Sequence, residues 1–528
     1  MKEFNTTAVC IPSKHYMVDI SERVKEIKKM VDAGKYFTIN RARQYGKTTT
    51  LNELANYLED QYVVLSLDFQ QISESSFRTE DAFVKAFSRI LLKKSKKTGM
   101  PESIQSELKK YINNDNDSTV LLDLFFTVSD WCEISEKPIV MLIDEVDSAS
   151  NNQVFLDFLA QLRAGYIERE IDPEGKTFQS VVLAGVTDIK HLKAKIRPEE
   201  QHKVNSPWNI AADFNIDMSL SREGIAGMLE EYEVDHHTGM NIAEIAGLIR
   251  DYTNGYPFLV SRICQLIDVE VSRQMSLADA WTRTGIDEAV KLILVESNTL
   301  FQSLIGKLTN NPELKESLRS ILMEGERVSY NGLQDDIALL DMYGFIRNEN
   351  GSVRIDNRIF ETVLYNLFLS DEEMKSSVFS REGQLEKNRF VKDGKLDMRL
   401  IMERFIVTYT QVFGPLEDRF KEKDGRELFL LYLRPIINGT GNYYIEAQTR
   451  DQTRTDVVVD YLGEQYIIEL KIWRGERYNA EGEQQISEYL DYFGLDTGYM
   501  LSFNFNKNKE PGVKRVQIGP KTLFEGTL

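Results

Sequence analysis

The stretch YFTINRARQYGKTTT, residues 36–50, decides the fold of the N-terminal part of the chain. Residues 36–40 have the aromatic and β-branched composition of a short strand. A loop follows and ends in Gly46-Lys47-Thr48, and residues 48–58 then carry apolar side chains at helical spacing. A strand, a loop and a helix N-terminus in this order offer backbone N–H groups to phosphate. The stretch therefore predicts a P-loop that binds a nucleotide.

Each residue type in the loop predicts a separate contact. Lys47 is expected to reach the β- and γ-phosphates of ATP, and the hydroxyl of Thr48 is expected to bind Mg²⁺. Gly46 lets the backbone approach the phosphates closely. The loop departs from the pattern G-x-x-x-x-G-K-[ST], because Arg41 stands at the first glycine position. The other expected nucleotide contacts are Arg43, Gln44, Tyr45 and Thr49.

The second feature of the predicted nucleotide site is acidic and follows the apolar run PIVMLI at residues 138–143. Such a run is typical of a strand buried on both faces. Asp144 and Glu145 come directly after this run. Ligands bind at the carboxyl edge of parallel sheets. We therefore predict that Asp144 holds Mg²⁺ and that Glu145 polarises the attacking water. A solvated strand end is the plain alternative, but the order of both features along the chain favours the nucleotide site.

Further strands alternate with helices along the N-terminal half. Residues 62–68 (YVVLSLD) and 180–186 (SVVLAGV) have strand composition, and the segments between them are mostly helical in pattern. This alternation predicts an α/β domain with a parallel sheet. Residues 216–305 follow a helical pattern. An Asn350-Gly351 hairpin turn and a final helix then make a winged helix the natural prediction.

The stretch at residues 36–50 resembles the AAA-ATPase-like family, whose loops commonly lack the first glycine and carry arginines before the Gly-Lys pair. Thr187, after the strand at residues 180–186, resembles a sensor-1 residue. Asn254-Gly255-Tyr256-Pro257 resembles a lid motif of archaeal-type and STAND ATPases. This resemblance implies that Thr187 and Arg262 contact the nucleotide. It also implies a helical lid and a winged helix after the core.

The C-terminal part carries a second group of chemically active residues. Asp456 opens one predicted strand, and residues 465–472 (QYIIELKI) form the next. Glu469 and Lys471 are two residues apart and therefore share one face of that strand. A charged pair on a largely apolar strand is costly unless it serves a site or reaches solvent. An exposed strand face with a cross-strand ion pair is the plain alternative.

These residues resemble the PD-(D/E)XK nuclease superfamily, with Asp456 as the first acid and Glu469-Leu470-Lys471 as the E-x-K. The resemblance implies that Asp456 and Glu469 hold Mg²⁺ or Mn²⁺, since hard cations prefer oxygen ligands. It implies that Lys471 orients water or stabilises the phosphorane charge. Gln485, on a predicted helix over residues 483–493, matches the Q-x-x-x-Y pattern of that family and joins the expected catalytic residues.

The composition bounds the domain organisation and the setting. A chain of 528 residues exceeds a single hydrophobic core. We predict an α/β chain with a P-loop ATPase core at 1–215, a helical lid at 216–305, a winged helix at 306–370, a polar linker at 371–399 and a restriction-endonuclease-like domain at 400–528. The chain has three dispersed cysteines, no secretion signal and no run of ~20 apolar residues, so we expect a cytoplasmic protein away from membranes.

The net charge of −19 disfavours a protein covered by nucleic acid, although a local basic groove stays compatible with it. The wing residues Arg347, Arg354 and Arg358 suit either DNA phosphates or packing, and the acidic chain favours packing. The leading hypothesis is a bacterial-type ATPase whose nucleotide state controls a metal-dependent nuclease. A homo-oligomer is one expected assembly, and defence or the handling of mobile DNA is the setting that the resemblance implies. The alternatives are a STAND-like switch with a non-catalytic C-terminal domain and a nucleic-acid-remodelling ATPase.

Overall fold

The computed structural model gives the fold of most of the chain. It describes the following residues: 2–114, 119–150, 152–172, 175–186, 208–322, 328–370, 377–392, 394–413, 422–437, 441–446, 456–462, 464–473, 483, 486–487, 490–491, 494–504 and 510–528. These residues form two compact units. The first unit is Met1–Asp235 with Tyr256–Ser261 and Asp341–Gly344, and the second is His236–Gly255, Arg262–Leu340 and Phe345–Leu528.

The first unit contains strands and helices in alternation. Its strands are β1 Glu3–Phe4, β2 His15–Tyr16, β3 Phe37–Asn40, β4 Val63–Asp68, β5 Ile139–Asp144 and β6 Ser180–Gly185. Its helices are α1 Ser21–Asp32, α2 Lys47–Leu58, α3 Glu80–Thr98, α4 Glu102–Ile112, α5 Leu121–Ile134, α6 Gln153–Ile171 and α7 Arg222–His236. Short 3-10 helices cover Phe69–Gln71, Glu74–Phe77 and Val146–Ser148.

A parallel sheet in the order β3-β6-β5-β4 forms the middle layer of this unit. The central strands β5 and β6 are buried on both faces, which accounts for their largely apolar sequences. Val140 and Leu142 of β5 pack against α1 and α2, whereas Met141 and Ile143 pack against the aromatic core of α3, α5 and α6. The predicted α/β domain with a parallel sheet is confirmed. This arrangement places the carboxyl ends of β3, β5 and β6 at one edge of the sheet.

The second unit begins with helices and a small hairpin. Its N-terminal elements are α8 Ile242–Thr253, α9 Pro257–Val269, α10 Leu277–Ala280, α11 Arg283–Val295, α12 Thr299–Asn310, α13 Pro312–Leu322, α14 Asp335–Met342, β7 Ile346–Glu349, β8 Ser352–Ile355 and α15 Arg358–Phe368, with a 3-10 helix at Val271–Arg273. The first residues of α9 and the last of α14 belong to the first unit. The Asn350-Gly351 turn joins β7 to β8, and both turn residues have positive φ.

A six-stranded mixed sheet forms the C-terminal part of the second unit, in the order β11-β12-β13-β14-β16-β15. The elements are α16 Val378–Glu386, β9 Val391–Lys392, β10 Lys395–Leu396, α17 Met398–Phe413, α18 Glu422–Ile437, β11 Gly441–Glu446, β12 Asp456–Tyr461, β13 Glu464–Ile472, β14 Thr497–Phe503, β15 Gly512–Ile518 and β16 Lys521–Thr527, with a 3-10 helix at Lys387–Arg389. Strands β11, β12 and β13 are antiparallel, and β14 pairs parallel with β13.

Residues 378–396 differ from the sequence-based expectation of a linker. They form α16 and the β9–β10 hairpin, and α16 packs closely on α18. The polar composition of this segment gives no sign of the packing. The two helices approach closely at Gly383, which has no side chain. A Cβ atom on Gly383 would lie 2.1 Å from the carbonyl oxygen of Tyr432. Among the helices in the described ranges, none has the length and apolar character needed to cross a bilayer.

The contact between α16 and α18 predicts a stability effect. Gly383→Ala should lower the free energy of unfolding by about 2 kcal/mol, because the new methyl group meets main-chain atoms that cannot move aside. Gly306→Ala in α12 is the control, since nothing lies within 4 Å of its added Cβ, and it should raise stability by about 0.5–1 kcal/mol. Urea unfolding of both variants measures the difference. Equal midpoints for both would show that α16 is not part of the folded core.

Candidate functional site

The P-loop places Lys47 at the start of α2. Gly46 has φ 77° and caps the helix in a left-handed conformation that a side chain would strain. Lys47 is buried, and its Nζ donates to the carbonyl oxygens of Arg41 and Ala42 at 2.9 Å each. The first N–H groups of a helix have no partner within the helix. The loop therefore directs N–H groups and one ammonium toward the same place, which suits phosphate oxygens.

The end of β5 brings an oxygen pair to the same edge. Asp144 is buried and is hydrogen-bonded to the hydroxyl of Thr48, and its Oδ1 accepts the N–H of Glu145 at 2.9 Å. Asp68, at the end of β4, pairs with Asp144 in register. A hydroxyl and a carboxylate held together are the oxygen donors that Mg²⁺ prefers. The residues present thus fit the cation that the sequence predicts for this site.

The electrostatics of the site depend on burial. Burial lowers the pKa of Lys47, while the charges of Asp147, Glu145 and Asp144 raise it. Burial likewise raises the pKa of Asp144, and the hydrogen bond from Thr48 opposes this shift. The pKa of Glu145 is raised by burial and then by the charge of Asp144. Carboxylates crowded around one ammonium favour the arrival of a divalent cation.

Glu145 has an unusual backbone conformation. Its φ of 54° lies in the left-handed region, which is uncommon for a residue with a side chain. Such strained residues concentrate at active sites, where the surrounding structure holds them. The raised pKa of Glu145 and its position after Asp144 agree with a role in proton transfer to or from water.

Asp147 is a residue that sequence reasoning missed. Its Oδ2 accepts the backbone N–H of Val186 at 2.6 Å, so it fixes the chain just past the end of β6. A Cβ on Gly185 would lie 2.8 Å from Val146 and 3.1 Å from this same Asp147 oxygen, so the close approach requires glycine. Asp147 is also the charge that raises the pKa of Lys47 most. The spacing D-E-x-D was the available signal. Thr187, the predicted sensor, lies outside the described residues.

The other predicted nucleotide contacts have varied surroundings. The ring of Tyr45 packs edge-on against Tyr256 with centroids 4.7 Å apart, and the Tyr256 hydroxyl donates to the carbonyl oxygen of Arg43. Thr49 Oγ1 accepts the N–H of Cys10 at 3.1 Å. Gln44 has φ 57°, and the Arg43 side chain is exposed. Arg262 makes a bidentate pair with Glu296 at 2.8 and 3.0 Å, and its contact with nucleotide stays a prediction.

The wing arginines are bound within the second unit. Arg347 donates to the carbonyl oxygen of Ile355 at 2.7 Å and pairs with Glu349, which also lies 3.4 Å from Arg354. Arg358 lies over the ring of Tyr252 at 6.0 Å. Residues 328–346, which include α14, carry three aspartates and no lysine or arginine. An acidic helix repels phosphate, so these contacts support the packing role of the winged helix.

In the C-terminal sheet, β13 presents Glu469 and Lys471 on one face, and both are buried. Asp456 pairs with Glu469 in the backbone register, although its side chain lies outside the described residues. Gln485 also lies outside them. Side-chain atoms of Ile486 and Leu490 lie within 3.1 Å of the position of a Cβ on Gly498 of β14. Gly498 lies on the same face as Met500, the register partner of Glu469.

One further buried polar group adjoins this face. Ser502 of β14 pairs with Lys471 in register, and its side chain is fully buried. Within the described residues its Oγ has no hydrogen-bond partner. A buried hydroxyl without a partner is costly, and this marks the position next to Lys471 as one built for a polar occupant. In the same described part, no three His, Cys, Asp or Glu side chains form a metal-holding group.

Two family models match the chain, one in its N-terminal part and one in its C-terminal part. The family model of the AAA-like domain matches residues 4–369. The model of the PD-(D/E)XK nuclease superfamily matches residues 442–516. A curated relative, an uncharacterised WD repeat-containing protein of Synechocystis sp., is 22% identical over 380 residues. The match covers 69% of this chain and 30% of that protein, so the chain spans less than a third of its relative.

Three of the solved structures that the chain matches come from archaea. The Walker-type ATPase of Pyrococcus abyssi is 15% identical with a TM-score of 0.46, covering 68% of this chain and 99% of that chain. The Aeropyrum pernix ORC2 protein, in its ADPNP-ADP complexes, is 12% identical with a TM-score of 0.36, covering 66% and 94%. The ORC1 protein of the same organism, in complex with DNA, is 11% identical with a TM-score of 0.30, covering 66% and 93%.

The buried position of Lys47 predicts the effect of its removal. Lys47→Ala should weaken the binding of a fluorescent ATP analogue by about 10-fold or more, because a charge-assisted contact to phosphate is lost. Lys35→Ala removes an exposed lysine just before β3 and should leave binding unchanged. Equilibrium titration at fixed Mg²⁺ measures both. Unchanged affinity in Lys47→Ala would place the nucleotide elsewhere.

Proposed function

The chain belongs to the AAA-like domain family, and on this premise we propose that it binds and hydrolyses ATP and that its nucleotide state controls a metal-dependent nuclease at its C-terminal end. The observation that carries the ATP site is the meeting of Lys47, Thr48 and Asp144 at the carboxyl edge of the first sheet. The match of residues 442–516 to the nuclease superfamily supports the second site.

At the nucleotide site, each residue has a separate proposed role. The N–H groups at the start of α2 and the ammonium of Lys47 bind the β- and γ-phosphates. Thr48 and Asp144 hold the Mg²⁺ ion, which neutralises phosphate charge when it is bound. Glu145 accepts a proton from the attacking water, and the pKa raised by its burial makes it a stronger base for that role. Thr187 and Arg262 are proposed to sense the γ-phosphate.

At the nuclease site, Asp456 and Glu469 are the proposed ligands of Mg²⁺ or Mn²⁺, which activates water when it is bound. Lys471 stabilises the charge that develops on the scissile phosphate. Gln485 completes the proposed set. The burial of Glu469 and Lys471 on one strand face supports this assignment, because buried charges without a use cost stability. The substrate class that these residues suit is nucleic acid.

The internal packing of the second unit supports the control of one site by the other. Helix α15 of the winged helix packs on β11, the edge strand of the C-terminal sheet. Its Tyr365 hydroxyl donates to the carbonyl oxygen of Leu322 at 2.7 Å, and Arg426 of α18 donates to the same oxygen at 3.3 Å. Helices α8, α10 to α13 and α15 belong to the same unit as the sheet, and on this basis we propose that a displacement of these helices is passed to the sheet.

The wider setting follows as part of the proposal. We propose domain limits of 1–215, 216–305, 306–370 and 400–528. We also propose that the chain assembles into a homo-oligomer and acts against foreign or mobile DNA. The second candidate function is a STAND-like switch, in which ATP occupancy controls assembly and the C-terminal domain only binds a partner. The wing arginines, all engaged within the chain, favour a protein-contact role of the kind that such a switch needs.

The nuclease proposal predicts a loss of cleavage on changing one carboxylate. Glu469→Gln should reduce the cleavage of labelled DNA or RNA by about 100-fold or more in Mg²⁺, because a ligand of the activating cation is lost. Glu464→Gln is the matched control on the same strand, where the carboxylate is half exposed and pairs with Lys395, and it should cleave normally.

The same assay separates the two candidate functions. Wild-type chain that cleaves none of single-stranded DNA, double-stranded DNA or RNA, with or without ATP, but changes its molecular mass on adding ATP would establish the switch. Cleavage that is insensitive to Glu469→Gln would show that the assigned residues are not the nuclease site.

A further inference from the structure

The turn that contains Tyr256 lies against the P-loop and directly follows helix α8. Tyr256 contacts the loop through the Tyr45 ring and the Arg43 carbonyl oxygen. Pro257 lies 3.8 Å from the position of a Cβ on Gly46. The segment from Tyr256 to Ser261 is grouped with the first unit, although the chain on either side belongs to the second. Any change in the loop on nucleotide binding therefore acts directly on this turn.

The chain just before this turn has a conformation suited to a hinge. Asn254 and Gly255 both have positive φ, 48° and 70°. Such residues at the end of a helix define a sharp change in chain direction. Tyr252 lies in the last turn of α8, four residues before Tyr256. Its hydroxyl donates to Asp287 Oδ1 of α11 at 3.0 Å, and both side chains are buried.

Asp460 of β12 completes a buried cluster. Its side chain is 2% exposed, and its charge acts on both Asp287 and Tyr252. Asp460 pairs with Gln465 in register, so alternation along β13 puts it on the same sheet face as Glu469 and Lys471. Asp456 lies four residues earlier on the same strand. The cluster thus joins a lid helix to the strand that opens the proposed nuclease site.

We propose that Tyr252, Asp287 and Asp460 form a joint that passes the nucleotide-dependent position of the Asn254–Pro257 turn to β12 and so regulates the nuclease; this regulation rests on the proposed function. The joint rests on the buried hydrogen bond from Tyr252 to Asp287, because a buried polar pair holds a specific position only while its hydrogen bond is satisfied. Loss of one partner loosens the connection without touching either active site.

A shared proton sets the condition for this joint. Burial, followed by the charge of Asp460, raises the pKa of Asp287 to about 7. Two carboxyl groups enclosed together cannot both ionise cheaply, so one of them keeps a proton below that pH. The charges that also face the cluster are Arg283 and Lys291 of α11 and Arg358 of α15.

Two further short elements pack on α11. The charged residues on them already have partners, because Arg273 pairs with Glu270 and Asp279 bonds with Ser276. The protonation of Asp287 therefore depends on the charged groups named above.

The pH dependence has a definite sign. A carboxyl group whose pKa is higher in the folded state than in the unfolded state binds protons more tightly when folded. Its contribution to stability is therefore fully present at acid pH, declines as the pH rises above about 4 and is lost once the pH passes about 7. The melting temperature of Asp287→Asn should fall less than that of wild type between pH 5 and pH 8.

The direct test compares cleavage with and without a non-hydrolysable ATP analogue, using the full chain and labelled nucleic acid. Tyr252→Phe should lower the ratio of the cleavage rate with the analogue to the rate without it by about fivefold or more, because allosteric coupling between two sites is commonly of that size. Its affinity for the analogue should match wild type. Tyr62→Phe is the matched control, because Tyr62 makes the same bond to an aspartate, Asp32, at 2.7 Å on the surface of the first unit, and its ratio should be unchanged.

The pH profile gives a second readout. In wild type the ratio of the cleavage rates with and without the analogue should fall between pH 6 and pH 8. In Asp287→Asn this ratio should stay constant, because a neutral amide replaces the carboxyl group that titrates. A ratio that is equal in wild type and Tyr252→Phe, or a pH profile that Asp287→Asn leaves unchanged, would overturn the joint.

A third readout does not need nuclease activity. Hydrogen exchange at the amides of residues 457–461 should slow on adding the analogue in wild type and respond less in Tyr252→Phe. If no nucleic acid is cleaved, the proposed function fails, yet this difference would still support the joint. Exchange that is identical in both proteins would contradict the joint even where cleavage depends on ATP.

Discussion

The nucleotide site depends on a charge balance at the carboxyl edge of the first sheet. Lys47 is buried, and a buried ammonium is costly unless it is paired and hydrogen-bonded. Two loop carbonyl oxygens supply its hydrogen bonds, and the carboxylates that follow β5 supply its counter-charge. The same burial raises the pKa of Asp144 and Glu145, and a phosphate with its cation would balance these buried charges. The position of α2 and the ends of β5 and β6 all follow from this requirement.

The second sheet repeats the same physical problem in another setting. Glu469 and Lys471 are buried on one strand face, and Asp460 shares that face. Each carries a desolvation cost that a stable fold does not need. Asp460 finds its surroundings at Tyr252 and Asp287, which belong to the lid helices. The buried charges therefore have two proposed roles. Glu469 and Lys471 are suited to chemistry, and Asp460 is suited to connecting the sheet with the lid helices.

Sequence reasoning recovered what depends on local pattern. The strands of the first sheet, α2 and the hairpin at Asn350-Gly351 were predicted within one or two residues, because periodicity and turn chemistry act over short range. It did not recover Asp147, Asp287 or Asp460, since their roles come from partners far away in the chain. It took residues 378–396 for a linker because the contact of Gly383 with Tyr432 leaves no trace in local composition. Thr187 and Gln485 lie outside the described residues and stay predictions.

The central claim is that nucleotide occupancy controls the C-terminal site, and one titration tests it most directly. The rate of nucleic acid cleavage by the full chain is measured against the concentration of a non-hydrolysable ATP analogue in Mg²⁺. The account predicts a saturable change in rate whose midpoint equals the dissociation constant of the analogue measured by direct binding. A rate that stays constant while the analogue fills the site would contradict it.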